Sequence, residues 1–329
     1  MTTGKCCKSR AFGFTLLESV AACAALMLIV TMAMGMINSV SDLWIKQRNK
    51  SVAFEGAAAA CEVVTRSLAQ ATLNTYWGYV IDEESHPVAY RRESELHFQM
   101  ARSAGLLNAA DAQYPGMGVF FQAPEGRASS NDLKRLPALL NGIGFFTVFS
   151  AQPRVPSIFQ PIIPPRYRFR LMEWQEPVEQ LEVYKSAAGN SWFSSRVIAA
   201  DGTLRNTAIL AENIVALILM AEYPEEDGKQ TRSFVYDSRN EGFPERLNQL
   251  PPRVHVLMMA ISEASAIRLA EKYGTSPPPL LPQETLFQTA SEFEKDIEKW
   301  EEDLRKITPP VDYQIFNSVV NIKSAKWSK

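Results

Sequence analysis

Residues 13–18 read Gly-Phe-Thr-Leu-Leu-Glu, and an apolar run follows them as far as residue 41. From Ser19 to Ser41 the chain carries no charged residue, and most positions are Ala, Met, Leu, Val or Ile. A helix needs about 20 such residues to cross a bilayer core of about 30 Å. In lipid a helix also satisfies its own backbone hydrogen bonds. The stretch therefore predicts a transmembrane helix over residues 14–41.

Charged residues flank this predicted helix unevenly. Lys5, Lys8 and Arg10 precede it, whereas the next basic residue after it is Lys46. Basic flanks stay on the cytoplasmic side of a membrane, so we expect a cytoplasmic N-terminus and a main domain outside the cytoplasm. Glu18 is the only acid of the run, and a carboxylate within a membrane costs on the order of 3 kcal/mol. Glu18 therefore either has a partner or reaches the polar interface.

The order of a basic leader, a Gly-Phe junction, an acid at position 18 and an apolar helix resembles the class III signal of type IV prepilins and pseudopilins. The resemblance implies that a prepilin peptidase removes residues 1–13 by cutting between Gly13 and Phe14, and that Phe14 is then N-methylated. It also implies that Glu18 pairs with the free amine of Phe14, on its own or a neighbouring subunit. The implied partners are the peptidase, inner-membrane lipid and other pilin-like subunits, which pack through the N-terminal helix.

Two other kinds of N-terminal signal fit this stretch less well. A secretory signal peptide places a small-residue cleavage site after its apolar run, where Asn38, Ser39 and Ser41 form no clear pattern. A lipoprotein box closes an apolar segment, whereas Val20-Ala21-Ala22-Cys23 opens this one. The prepilin-like interpretation therefore explains more of the N-terminal sequence.

A second, amphipathic half extends the predicted helix over residues 42–74. Its small and apolar residues recur at spacings of three and four, which places them on one helical face. They are Ala53, Ala57, Ala60, Val64, Leu68 and Ala71. Arg48, Glu55, Glu62 and Arg66 fall on the opposite side. We expect this half to pack on the chain's own folded domain.

Residues 75–329 are predicted to form a β-rich domain, because short runs of aromatic and β-branched residues alternate with turn signals. The predicted strands are Tyr76–Ile81, Glu95–Met100, Gly118–Gln122, Phe145–Ser150, Arg166–Glu173, Trp192–Ile198, Val215–Glu222, Phe234–Asp237, Arg253–Ile261 and Tyr313–Ile322. Their connections are short, which favours an antiparallel sheet. Alternation predicts that strand 166–173 is half exposed. Prolines at residues 152–165 predict an extended connector, and a division into two lobes there is left open.

A helical insertion is predicted at residues 262–308. Ser262 is placed to cap a helix that runs to Tyr273 and ends at Gly274. A Pro-rich spacer follows, and then a second helix over residues 291–307. The whole pattern predicts an α+β fold, with a long N-terminal helix, an antiparallel β domain and this insertion near the C-terminus.

The second of these helices has a narrow apolar stripe. Its members are Phe293, Ile297, Trp300, Leu304 and Ile307. Ser291 and Glu294 have the spacing of a capping box. We expect the stripe to dock on the chain's own sheet, and a partner helix is the alternative.

A weaker resemblance extends along the rest of the chain. Residues 210–215 (Leu-Ala-Glu-Asn-Ile-Val) and 250–256 (Leu-Pro-Pro-Arg-Val-His-Val) each lead into a strand, an order similar to that of J-type minor pseudopilins of type II secretion and W-type minor pilins. Residues 313–320 (Tyr-Gln-Ile-Phe-Asn-Ser-Val-Val), followed by Lys326-Trp327-Ser328, resemble the ending of the pilin-like verrucomicrobial cassette protein C family. The insertion at residues 262–308 departs from the J-type and W-type pattern.

The polar residues form no pattern typical of catalysis. His86, His97 and His255 are far apart in sequence and are interpreted as structural, since metal sites need clustered ligands. Cys61, among Ala residues, is interpreted as a small buried residue. The net charge is −2 and no basic cluster has interleaved aromatics, so we expect no nucleic-acid partner. We also expect no cofactor and no enzyme activity.

These features predict a non-catalytic minor pilin-like or pseudopilin-like subunit of a type IV pilus-like or type II secretion-like envelope assembly. A single helix would anchor it in the inner membrane before assembly. The alternative is a bitopic envelope protein whose β-rich domain binds a ligand or partner without entering a filament. A membrane-tethered enzyme ranks third, because no candidate nucleophile or metal cluster is visible in the sequence.

Overall fold

The computed structural model describes residues 16–151, 166–184, 192–225, 228–283 and 285–327, and at residues 38–39 and 42–53 it describes the helical backbone alone. The helices are α1 (Leu16–Ala69), α2 (Ser103–Leu107), α3 (Ser194–Val197), α4 (Glu263–Tyr273) and α5 (Phe293–Arg305). The strands are β1 (Tyr76–Ile81), β2 (Pro87–Glu93), β3 (Gln99–Arg102), β4 (Met117–Ala123), β5 (Asn141–Ala151), β6 (Tyr167–Glu176), β7 (Thr207–Glu212), β8 (Ile214–Pro224), β9 (Gln230–Ser233), β10 (Tyr236–Asp237), β11 (Arg253–Ile261) and β12 (Tyr313–Asn321). The chain divides into two units, residues 1–52 and 53–329.

The helix α1 begins in the first unit as an apolar helix. Its segment Leu16–Ile37 has a mean hydropathy of 2.4, and none of it is buried within the chain. By length and composition this segment can cross a membrane. The prediction of a long apolar helix is therefore confirmed over its described residues.

The end of α1 belongs to the second unit and is amphipathic, as the sequence predicts. Its buried face consists of Phe54, Ala57, Ala60, Cys61, Val64 and Leu68, whereas Glu55, Glu62 and Arg66 are exposed. The helix ends at Ala69 and not near residue 74. The N–H of Ala71 bonds the carbonyl of Leu68 at 3.1 Å, and the N–H of Thr72 bonds the carbonyl of Gln122 on β4 at 2.9 Å. This strand contact diverts the backbone from the helix.

Two antiparallel sheets form the body of the second unit in the described part of the chain. The larger has six strands in the order β10-β3-β4-β5-β6-β7, and the smaller has four in the order β12-β11-β8-β9. Strands β1 and β2 pair only with each other, as a separate hairpin. The α+β fold class with antiparallel pairing is therefore confirmed.

The central strands β4 and β5 of the six-stranded sheet are buried on both faces. Successive side chains of a strand point to opposite faces, so Phe145 and Phe146 of β5 enter different hydrophobic clusters. The larger cluster also contains the α1 face, β8, β11 and α5. The smaller contains α2 and the aromatic pair Trp192 and Phe193. Burial on both faces explains why β5 reads as a nearly continuous apolar run.

Several strand predictions differ from the structure. The strand predicted at Phe234–Asp237 covers only Tyr236–Asp237. The segment predicted as strand 192–198 contains helix α3, because Trp192 and Phe193 pack into the smaller cluster and leave the sheet. The strand predicted from residue 95 begins at Gln99, because the N–H groups of Leu96 and His97 bond side chains instead of a neighbouring strand. The half-exposed strand 166–173 is wrong, since Arg168 and Arg170 of β6 are buried.

The Pro-rich connector joins two neighbouring strands of one sheet. Strand β5 pairs with β6 from Ala151 with Tyr167 to Gly142 with Glu176. Residues 152–165 themselves lie outside the described residues. The flanking strands therefore give no boundary between two lobes at this point.

The predicted insertion lies between two paired strands. β11 and β12 are aligned along their whole length, from Arg253 with Asn321 to Ile261 with Tyr313. Helix α4 starts as predicted, with Ser262 Oγ accepting from the N–H of Ser265 at 3.2 Å. It ends at Gly274, whose φ of +60° favours glycine.

Helix α5 docks on the chain's own core, as expected. Phe293, Trp300 and Leu304 are buried in the larger cluster, and the Trp300 indole N–H donates to the carbonyl of Leu280 at 2.9 Å. The predicted capping box is wrong. A 3₁₀ turn at Ala290–Glu292 precedes α5, and Glu292 occupies the N-cap position without a side-chain bond.

Candidate functional site

Of the three predicted site residues, the structure describes one. Gly13 and Phe14 lie outside the described residues, and Glu18 lies in the first turn of α1. Glu18 is exposed and is the only acid in that first turn. A carboxylate there is favoured by the partial positive charge of a helix N-terminus.

The helix around Glu18 presents apolar side chains on every side. Leu16 and Leu17 are more than 80% exposed, and Met27 and Met36 are more than 70% exposed. A helix that is apolar all round is stable only when lipid or other helices cover it. The described geometry therefore suits a bilayer or a bundle of similar helices.

In the second unit, the buried Arg168 joins β6 of the six-stranded sheet to helix α4. Arg168 makes two bonds to the Glu263 carboxylate at the start of α4, one of them at 2.6 Å from Nη2 to Oε1. Asn213 Nδ2 also donates to Glu263 Oε2, at 2.8 Å. The hydrogen bonds from Arg168, with burial opposing them, lower the pKa of Glu263. A bidentate pair of this kind fixes geometry, which is a structural role.

A second cluster surrounds the buried carboxylate of Glu222 on β8. Its Oε2 lies 2.9 Å from His255 Nε2 and 3.2 Å from Arg232 Nε, and its Oε1 bonds Arg253. Burial raises the pKa of Glu222, but the His255 bond and the two arginines outweigh burial, so the pKa is lowered. His255 therefore stabilises a buried carboxylate between β8 and β11.

The other two histidines lie apart from these clusters. Burial, together with the charge of Arg239, lowers the pKa of His97 to about 4. His86 is exposed in the turn between β1 and β2. Among the described residues, no group of three or more His, Cys, Asp or Glu side chains is placed to hold a metal ion.

The feature that the sequence analysis missed is an exposed face of the β1–β2 hairpin. It consists of Trp77, Tyr79, Ile81, Val88 and Tyr90, whose exposed fractions run from 56% to 67%. Tyr79 and Tyr90 face each other across the strands, with ring centroids 5.0 Å apart. Strand β2 was not predicted, although Val88 and Tyr90 alternate with other residues as in a strand.

A cleft of about 560 Å³ opens at the base of this hairpin. Trp77 and Arg92 line it on one side, and Lys323, Lys326 and Asn248 on the other. None of the described residues that line the cleft is acidic. The cleft is therefore positively charged and partly aromatic.

Comparisons with known proteins give little beyond this geometry. No protein-family model matches the chain, and no curated protein matches it. Among solved structures, a type IV-like pilin from Thermus thermophilus is similar at a TM-score of 0.36 and 10% sequence identity, over 83% of this chain and 96% of that one. At this TM-score the likeness says nothing about the function of this chain.

Proposed function

We propose that this chain is a non-catalytic, pilin-like minor subunit of a type IV pilus-like or type II secretion-like envelope assembly. A prepilin peptidase would cut between Gly13 and Phe14, and the new N-terminus would be methylated. The helix from Phe14 onward would anchor the subunit in the inner membrane. After assembly the same helix would pack among those of other subunits.

One observation carries this proposal. A single uninterrupted helix, Leu16–Ala69, starts as an exposed apolar segment and ends as an amphipathic segment. Its second part buries one face in a folded α+β unit. The prepilin-like signal lies immediately before the apolar segment in sequence. A subunit held in a membrane and later in a filament needs both properties in one helix.

Glu18 has a specific role in the proposal. Two charges of opposite sign in a low-dielectric environment attract strongly, whereas a lone carboxylate there is costly. A free amine at Phe14, created by the cut, is the partner that would neutralise Glu18. Pairing with the amine of a neighbouring subunit would also set the axial register between helices.

The peptidase step is tested by blocking the cut. We expect a Gly13→Val chain, expressed in its native envelope, to retain residues 1–13, because the small residue before the bond is replaced by a branched one. N-terminal sequencing of membrane-purified protein gives the result. As a matched control, Gly35→Val changes a glycine within the apolar segment and should leave processing intact. Normal processing of Gly13→Val would contradict the proposed junction and favour a bitopic protein that keeps its leader.

A further inference from the structure

We expect the exposed apolar face of the β1–β2 hairpin to pack against another protein surface. A two-stranded hairpin is marginally stable in water by itself, and monomeric proteins rarely expose large contiguous apolar patches. Here five apolar side chains on one face are all more than half exposed: Trp77, Tyr79, Ile81, Val88 and Tyr90. The base of the hairpin is held by bonds from Thr75 to Asn248 and from Asn248 to the carbonyl of Arg92. The face is therefore presented on a fixed support.

We propose that this face and the neighbouring basic cleft bind a second copy of the chain. Acidic residues form the turn of the hairpin, and basic residues line the cleft at its foot. Glu93, which also lies at the foot, pairs with Arg91 at 3.5 Å and does not line the cleft. Asp82, Glu83 and Glu84 form the turn, and Arg92, Lys323 and Lys326 line the cleft. Among the described residues, neither lysine pairs with a carboxylate. Two hairpins packed face to face and antiparallel would therefore place each acidic turn in the cleft of the other copy.

The dimensions agree with this arrangement. With Tyr79 and Tyr90 near the two-fold axis, Glu83 lies four residues from the axis, at most about 13 Å away, because β1 ends at Ile81 and the turn follows. Arg92 lies only about 7 Å away on the other side, two residues from Tyr90. The turn of one copy therefore reaches past Arg92 of the other, where the cleft opens. An isologous contact of this kind is the usual form of a dimer.

The area is sufficient for a specific contact. Fully covered aromatic side chains bury about 150–250 Å² each, so three that are near 60% exposed offer about 350 Å². Ile81 and Val88 bring one face to about 500 Å² and two faces to about 1,000 Å², which is the lower limit for a specific interface; the contact between turn and cleft adds to this area. The contact involves only the second unit, and it is independent of the apolar helix and of the proposed processing.

Charge reversal tests the proposal on the full-length chain in detergent. Variant A carries Glu83→Lys and Glu84→Lys, so that both its turn and its cleft are basic. Variant B carries Lys323→Glu and Lys326→Glu, so that both are acidic. We expect each variant alone to have a dimer Kd at least tenfold above wild type, and an equimolar mixture of A and B to dimerise like wild type. Sedimentation equilibrium over a range of concentrations measures all of these.

A second pair of variants tests the apolar face. We expect Tyr79→Ser with Tyr90→Ser to raise the dimer Kd at least tenfold, while Tyr184→Ser, a tyrosine of similar exposure elsewhere, leaves it unchanged. Circular dichroism checks that the variants fold like wild type. A monomeric wild-type chain would overturn the proposal and point to a different protein as the occupant. Dimerisation that is insensitive to both the charge and the tyrosine variants would also overturn it, and would point to the apolar helix.

Discussion

Replacing Gly144 by alanine tests how tightly the smaller cluster is packed. Gly144 lies on β5 directly opposite Phe120 of β4. A Cβ at position 144 would lie closer than 3.0 Å to two carbons of the Phe120 ring. The Phe120 ring has no space to move away from this Cβ, because it stacks on the Phe193 ring with centroids 3.9 Å apart and planes 9° from parallel. Both rings are fully buried.

The expected effect is large for one methyl group. Overpacking of a filled core costs about 1–3 kcal/mol, and the blocked ring places Gly144→Ala near 3 kcal/mol. For a unit of this size that loss lowers Tm by about 6–12 °C. Thermal unfolding of the full-length chain in detergent, followed by near-UV circular dichroism, reports directly on the aromatic cluster.

Gly56→Ala is the matched control. Gly56 is an exposed residue of α1, and no atom lies within 4 Å of a Cβ built there. Glycine inside a helix costs up to about 1 kcal/mol relative to alanine, so this variant should be slightly more stable than wild type. Glycine to alanine should therefore lower Tm at position 144 and raise it slightly at position 56. If Gly144→Ala unfolds at or above the wild-type Tm, the inferred packing around Phe120 is wrong.

Three further predictions concern charged groups. The pKa of His97 is lowered from 6.5 to about 4, so between these pH values the folded chain binds fewer protons than the unfolded chain. The free energy of unfolding should therefore fall by up to about 3 kcal/mol as the pH drops from 6.5 to 4. Urea titrations should show that His97→Asn removes this loss. Below pH 4.5 a further loss should appear even in that variant, because the lowered pKa values of Glu222 and Glu263 give stability that disappears as these carboxylates are protonated. For Glu18→Ala we expect normal membrane insertion but impaired assembly, measured by co-purification with other subunits of the native complex, and wild-type complex formation would remove the proposed role of Glu18.

Local periodicity predicted much of the fold. The buried face of α1 follows from its spacing of three and four, and β11 was predicted with its exact bounds from its run of apolar residues between turn signals. Ser262 and Gly274 marked the ends of α4 because both caps depend on neighbouring residues. Each of these features is determined by residues that lie within a few positions of it in the sequence.

The errors concern features that depend on distant residues. Arg168 is buried because Glu263, far along the chain at the start of α4, pairs with it. Trp192 and Phe193 lie outside the sheet because they pack on Trp174 and Phe120, which are far from them in sequence. The basic cleft likewise combines Arg92 with lysines near the C-terminus, so its charge could not be predicted from either segment alone.

The intact mass of the chain isolated from its native envelope tests the central claim most directly. If a prepilin peptidase processes the chain, the mass will correspond to residues 14–329 with one added methyl group on Phe14. A mass that includes residues 1–13 would contradict the proposed identity, whatever the behaviour of the folded unit.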